Sequence, residues 1–191
     1  MQINIPNEYS RLKQVILGTA KDCGGPPHLD DTYDPKTKEF LRKGMYPYEK
    51  NMVAEIECFA KILKKHHVEV LRPNNIKHLN QIFTRDICFV IEDKLVIPEI
   101  LQEREDEIDG IQNYLNQLTK KQILDSPLGV RIEGGDVIVH NEYLFVGYAN
   151  EKDFYGYKTA RTNENGLNYL KEKFPAKKVI GIELNKSDYE P

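Results

Sequence analysis

No stretch of this sequence approaches the ~20 consecutive apolar residues that a membrane-spanning helix needs, so the chain is expected not to cross a bilayer. Its first residues, Met1-Gln2-Ile3-Asn4-Ile5-Pro6, put no charged region ahead of an apolar core, which argues against a secretory leader and for the cytoplasm. A surplus of positive charge is missing too: 27 Lys plus Arg face 30 Asp plus Glu, a formal charge of −3. That excludes a nucleic-acid binder working by phosphate neutralisation, because there are no excess cations to release counterions. Cysteine is scarce. Cys23, Cys58 and Cys88 are odd in number and lack CxxC spacing, so they build neither a disulfide framework nor a zinc knuckle and read as thiols of a reducing compartment.

What is present is an ordinary globular composition, 40% hydrophobic and 30% charged over 191 residues. A chain of this size can bury roughly 70% of its unfolded surface, as one large domain or two small ones. The apolar run at 13–18, closed by Gly18, predicts a first strand. Residues 19–47 follow as a long loop with no sustained period, carrying Gly24-Gly25-Pro26-Pro27, Asp30-Asp31 and Pro35, and such loops are usually functional or disordered. From Tyr48 onward Met52, Ile56, Phe59, Ala60 and Leu63 recur at three- and four-residue steps, which is one face of a helix. A strand at 68–71, ended by Pro73, comes next.

The chain then repeats itself. Residues 90–98 align at an offset of 49 with residues 139–147, each a strand, a tight turn and a strand. Behind them Asn113-Tyr114-Leu115 matches Asn168-Tyr169-Leu170, and Lys121-Gln122-Ile123 matches Lys178-Val179-Ile180. Each unit is therefore hairpin, helix, closing strand. A repeat of roughly 50 to 60 residues implies units that bury their faces only against neighbours, with propellers among the possibilities. Counting the first helix and strand, the candidate units are 8–73, 81–125 and 131–184, with no clear fourth.

Two motifs sit at corresponding places in this repeat. Gln81-Ile82-Phe83-Thr84-Arg85-Asp86 leads into the second unit's first strand, and Ile132-Glu133-Gly134-Gly135-Asp136 leads into the third's. Both put a carboxylate at the mouth of a strand, so the units could aim acids at a common centre. The plainer alternative is that Asp86 caps a turn and that the acidic glycine pair is a tight lead-in to a strand. Equivalence within the repeat favours the first reading.

In their order, Phe83-Thr84-Arg85-Asp86, the hairpin, Arg104, Glu133-Gly134-Gly135-Asp136 and Arg161-Thr162 at the head of a helix resemble the guanidino-group modifying superfamily. Its members are arginine deiminases, dimethylarginine dimethylaminohydrolases and arginine:glycine amidinotransferases. The similarity runs from about Arg11 to the C-terminus. It implies an α/β fold, the five-bladed, pentein-like propeller of ββαβ units around a polar channel, of which this chain would be a single, incomplete domain. It also implies a cysteine-based reaction with no metal and no cofactor.

A guanidinium is planar, cationic and presents paired N–H donors, so carboxylates that accept two parallel hydrogen bonds hold it best. By resemblance Asp86 is such a clamp, Glu133 a second carboxylate that also assists proton transfer, and Phe83 an apolar wall beside the substrate stem. Arg104 and Arg161 stand where the family places arginines that receive the substrate's α-carboxylate. An insert at 149–160 precedes Arg161, and Arg104, within Glu103-Arg104-Glu105-Asp106-Glu107, equally suits a surface ion pair. Asp136 is expected to tie down its turn through backbone bonds.

The departures matter as much. In this superfamily a thiolate attacks the guanidinium carbon while a histidine serves as acid and base. The histidine lies in a His-x-Asp strand and the cysteine near the C-terminus, and neither is found in a chain that closes on Asp188-Tyr189-Glu190-Pro191. The sequence is therefore expected to be a truncated, inactive form. Cys58 in the apolar helix and Cys88 in a strand read as core residues, which leaves Cys23, five residues before His28, as the remaining candidate nucleophile. His66-His67 end a helix, His78 is in a turn and His140 faces outward; none has ligand spacing for a metal. The expected activity is amidinotransfer, or alternatively amidinohydrolysis, on a small guanidino substrate. The rival class is a non-catalytic binding module on the same fold, which predicts no acids in the channel. A homo-oligomer is expected too, since an incomplete propeller leaves apolar flanks open.

Overall fold

The computed structural model describes residues 1–32, 34–158 and 160–184; the terminal Asp188-Tyr189-Glu190-Pro191 lies outside them. The chain forms two compact units, one of Tyr9–Thr84 with Asp106–Asn113, the other of Met1–Glu8, Arg85–Glu105 and Tyr114–Pro191.

In the first unit, strand β1 (Gln14–Ile16) takes up the predicted apolar run. Residues 19–47 are not all loop: Pro35–Arg42 form helix α1, with Asp34 accepting the Thr37 N–H at 2.7 Å as N-cap and Pro35 in the first turn. It buries no residue and is held by Lys36–Glu39 and Glu39–Lys43 ion pairs, which is why no apolar period announces it. Helix α2 (Glu49–Lys65) starts where expected, after Tyr48. Its apolar stripe sinks only Ala60, while Phe59 remains 51% exposed. Cys58 is exposed, contrary to the core assignment, because two residues from both Ile56 and Ala60 it points about 160° away from each around the helix, nearly opposite the stripe. Strand β2 (Glu69–Leu71) pairs in parallel with β1, Val15 opposite Val70.

The second unit holds the repeat. Turn α3 (Thr84–Ile87) leads into the antiparallel hairpin of β3 (Phe89–Ile91) and β4 (Lys94–Ile97). A 3-10 stretch over Gln102–Ile111 runs into the single turn α4 (Gln112–Leu115), their Asp106–Asn113 portion belonging to the first unit, and β5 (Ile123–Asp125) closes in parallel on β4. The second copy opens with a 3-10 turn at Gly134–Asp136 and the hairpin β6 (Val137–His140) and β7 (Tyr143–Tyr148). Helix α5 (Glu151–Gly156) occupies the insert, α6 (Glu164–Lys173) follows, and β8 (Lys178–Glu183) closes in parallel on β7. The hairpin turns agree in detail: Glu92 and Asn141, 49 residues apart, are both left-handed, with φ of 52° and 50°. Phe89, Ile91 and Val96 of one sheet pack with Val137, Val139, Leu144 and Val146 of the next and with Leu167 and Leu170 of α6 in one core. Cys88 is buried as predicted, and burial pushes its thiol up to about 12. The fold is mixed α/β with small sheets.

Candidate active site

The two acidic motifs become neighbours through Arg85 and Gly134. A β-carbon on Gly134 would lie 2.0 Å from the Arg85 carbonyl oxygen, so only glycine lets the two turns meet. The Arg85 side chain reinforces the contact: Nε donates to the Gly134 carbonyl at 2.9 Å and Nη2 to the Val137 carbonyl at 2.5 Å. Nη2 also reaches Glu8 Oε1 at 2.6 Å, and the same oxygen accepts the Val139 N–H. These bonds fix Asp86, at the end of one turn, beside Glu133, at the start of the other.

Each carboxylate carries an arginine. Arg104 Nη1 donates to Asp86 Oδ2 at 2.8 Å and Arg161 Nη1 to Glu133 Oε2 at 2.6 Å, with the four side chains between 13% and 22% exposed. The remaining oxygens, Asp86 Oδ1 and Glu133 Oε1, turn to the same spot: both lie within 4 Å of the position a β-carbon on Gly135 would take. Thr162, buried, donates to Asp136 Oδ2 at 2.6 Å and accepts the Glu133 N–H at 3.0 Å, tying the acidic turn to the residues that precede α6. Asn163 caps α6 by accepting the Gly166 N–H at 2.8 Å and also takes the Arg131 N–H.

Three carboxylates, Asp86, Glu133 and Asp136, stand against two guanidinium groups, so the cluster has one negative charge to spare. Burial raises the Glu133 carboxyl above its ordinary value; Asp86 and Asp136 add to the rise while the Arg161 hydrogen bond and charge oppose it. Such a cluster suits a single planar cation. Among the described residues no three His, Cys, Asp or Glu are placed to hold a metal ion.

Of the residues singled out in the sequence, Asp86, Arg104, Glu133, Asp136 and Arg161 fall in one unit, and the pairs Asp86–Arg104 and Glu133–Arg161 are in direct contact. Asp136 is bound both through its N–H, to the Glu133 carbonyl at 2.9 Å, and through its carboxylate. Phe83 belongs to the other unit and is 59% exposed. Cys23 is also in that unit, its Sγ 3.9 Å from Glu49 Oε2. Sequence reasoning missed Arg85, Thr162 and Gly135 as parts of the site; all three stand inside the quoted motifs, but their roles depend on contacts across 26 to 49 residues of chain. The surface cleft lined by Arg11, Lys65, His66 and His67, at the end of α2, contains no carboxylate and offers a guanidinium nothing.

No family profile matches the chain. Among curated proteins it is 27% identical over 184 residues to the uncharacterized protein YkgA of Bacillus subtilis strain 168, covering 93% of this chain and 57% of that protein. Among solved structures it is similar to SxtG, an amidinotransferase from Microseira wollei in the saxitoxin biosynthetic pathway, with 17% identity, a TM-score of 0.69 and coverage of 95% of this chain and 62% of the other. The inosamine-phosphate amidinotransferase StrB1 of Streptomyces griseus matches at 17% identity and a TM-score of 0.69, over 94% and 62% of the two chains. DDAH from Pseudomonas aeruginosa, complexed with citrulline, matches at 13% and 0.65, over 92% and 62%. The chain thus spans 57 to 62% of the length of these proteins. The structural neighbours are amidinotransferases and amidinohydrolases of the pentein type, all guanidino-modifying enzymes, and this chain shares their α/β fold.

Proposed function

We propose that this chain is the guanidinium-binding part of an enzyme that modifies arginine or a close analogue through a covalent amidino-cysteine intermediate. The observation that carries the reading is the convergence of Asp86 Oδ1 and Glu133 Oε1 on one spot while Arg104 and Arg161 neutralise the opposite oxygens. Asp86 clamps the guanidinium. Glu133, with its raised carboxyl, clamps it and exchanges a proton with it. Arg104 and Arg161 balance the clamp and, in line with the resemblance, receive the substrate's α-carboxylate.

In the covalent route a thiolate adds to the guanidinium carbon, a C–N bond breaks, and the amine on it leaves with a proton. In a transferase the amine that leaves is the substrate's chain amine, and an acceptor amine then attacks the amidino carbon and expels the thiolate. In a hydrolase ammonia or a small amine leaves instead, and water expels the thiolate to give citrulline. Amidinotransfer is the favoured version and amidinohydrolysis the alternative; enzymes of both kinds share this fold. The 191 residues supply clamp and proton exchange but no thiolate–imidazole pair of the expected kind, so the chain alone binds without turnover. Retention of both carboxylates speaks against a purely structural module. No disulfide joins the three cysteines, which supports a cytoplasmic location. A second copy of the chain is the proposed macromolecular partner.

Calorimetric titration with L-arginine tests the reading. Saturable binding is expected in the wild type, weakened by about 2 to 4 kcal/mol in Asp86→Ala through loss of one buried, charged hydrogen-bond partner. Absence of binding overturns the reading. Citrulline or ornithine formation that Cys23→Ala abolishes would place the nucleophile in this chain and overturn the inactive assignment.

A further inference from the structure

Gly135 has no conformational need to be glycine. It sits within the 3-10 turn Gly134–Asp136, its φ lies outside the left-handed region, and it is exposed. Gly134 differs: it is buried, and a β-carbon there would collide with the Arg85 backbone and come 3.0 Å from Phe89 Cδ1. A β-carbon on Gly135 would have as its nearest neighbours Asp86 Oδ1 at 3.1 Å, Glu133 Oε1 at 3.7 Å and Glu133 Cγ at 4.0 Å. Those are the two clamp carboxylates and nothing else of the fold's packing.

We propose that Gly135 is a specificity-determining residue, which by lacking a side chain leaves Asp86 Oδ1 and Glu133 Oε1 open on the side from which a guanidinium reaches both. A charge-assisted N–H···O bond places its nitrogen about 2.7 to 2.9 Å from the carboxylate oxygen. The β-carbon position itself is one covalent bond from the Gly135 α-carbon, so no ligand atom takes it; the nitrogen stands farther out, and a methyl carbon 3.1 Å from Asp86 Oδ1 blocks its approach. A methyl group there excludes the ligand and strips water from both oxygens while donating nothing in return. The inference rests on the guanidinium-clamp reading and adds to it the element that decides how closely the cation approaches.

Wild type, Gly135→Ala and Asp86→Asn are each titrated with L-arginine and with guanidinium ion, and each is melted thermally. Gly135→Ala is expected to melt at or above the wild-type temperature, since alanine restricts the unfolded chain. Its affinity for both ligands is expected to fall by on the order of tenfold to a hundredfold, the scale of a small misplacement of a bound group. Wild-type affinity in Gly135→Ala, alongside lost binding in Asp86→Asn, overturns the role of Gly135 and leaves the clamp standing. A lower melting temperature in Gly135→Ala makes the glycine structural and overturns the inference. A wild type that binds neither ligand overturns the clamp and the role of Gly135 together.

Discussion

The carbonyl oxygen of Arg85 stands 2.0 Å from where a β-carbon on Gly134 would be, so two turns 49 residues apart in sequence touch backbone to backbone. Because the obstructing atom is backbone, no side chain can swing aside to relieve the overlap. Gly134→Ala must separate the turns, breaking the bonds from Arg85 to the Gly134 and Val137 carbonyls. Overpacking of this kind is expected to cost about 2 to 4 kcal/mol. A chain of this size loses about 2 to 4 °C of melting temperature per kcal/mol, so a thermal melt reads the effect directly. An unchanged melt would mean that the turns slide apart without cost and that Arg85 does not hold them.

A second expectation concerns pH. Glu133 is raised, chiefly by burial, so its folded-state pKa lies above its unfolded one. The native state then holds more protons across that window, and its stability falls as pH rises from the unfolded pKa to the folded one. Ligand binding runs the other way. A guanidinium needs the ionised carboxylate, so affinity climbs as pH rises through the Glu133 pKa, and binding below it releases a proton. Arginine titrations from about pH 4 to 8, a range that brackets a raised carboxylate, are expected to show this rise in the wild type and a flattened profile in Glu133→Gln. A wild-type affinity that levels off at an ordinary carboxylate pKa would remove Glu133 from the proton-exchange role.

The hairpins are legible in the sequence because alternation and a two-residue turn are local, and both turns even share the left-handed residue at Glu92 and Asn141. Helix α1 is not, because nothing in it is buried and only the Asp34-Pro35 cap marks its start. The exposure of Cys58 follows from its angle around α2, which composition alone does not weigh. At the site, the acids could be picked out by their matching places in the repeat. Their pairing with Arg104 and Arg161 could not, since it joins residues 18 and 28 positions apart through the way loops fold back on the turns. Gly135 looks like any turn glycine until the atoms around it are known.

The last expectation is association. Ile138, Phe145 and Ile180 stand side by side across β6, β7 and β8. Ile138 is 52% and Ile180 40% exposed, with Ile182 beside them at 47%. By strand register the equivalent row of the preceding sheet is Phe89, Val96 and Leu124, one residue beyond the Ile123 that the sequence match sets against Ile180. There Phe89 and Val96 are 4% and 0% exposed in the core they share with β6 and β7. The same positions of the repeat are thus sealed in one copy and wet in the other. Burying such a row is worth ~25 cal/mol per Å², and faces of this kind are seldom left bare. The chain is therefore expected to scatter light as a dimer or larger species at micromolar concentration. Replacing Ile138 and Ile180 together by Asp should return it to 22.2 kDa with a cooperative melt retained, because within the single chain both side chains are already partly exposed. A wild-type chain that stays a cooperative monomer at that mass would show that this sheet face needs no partner.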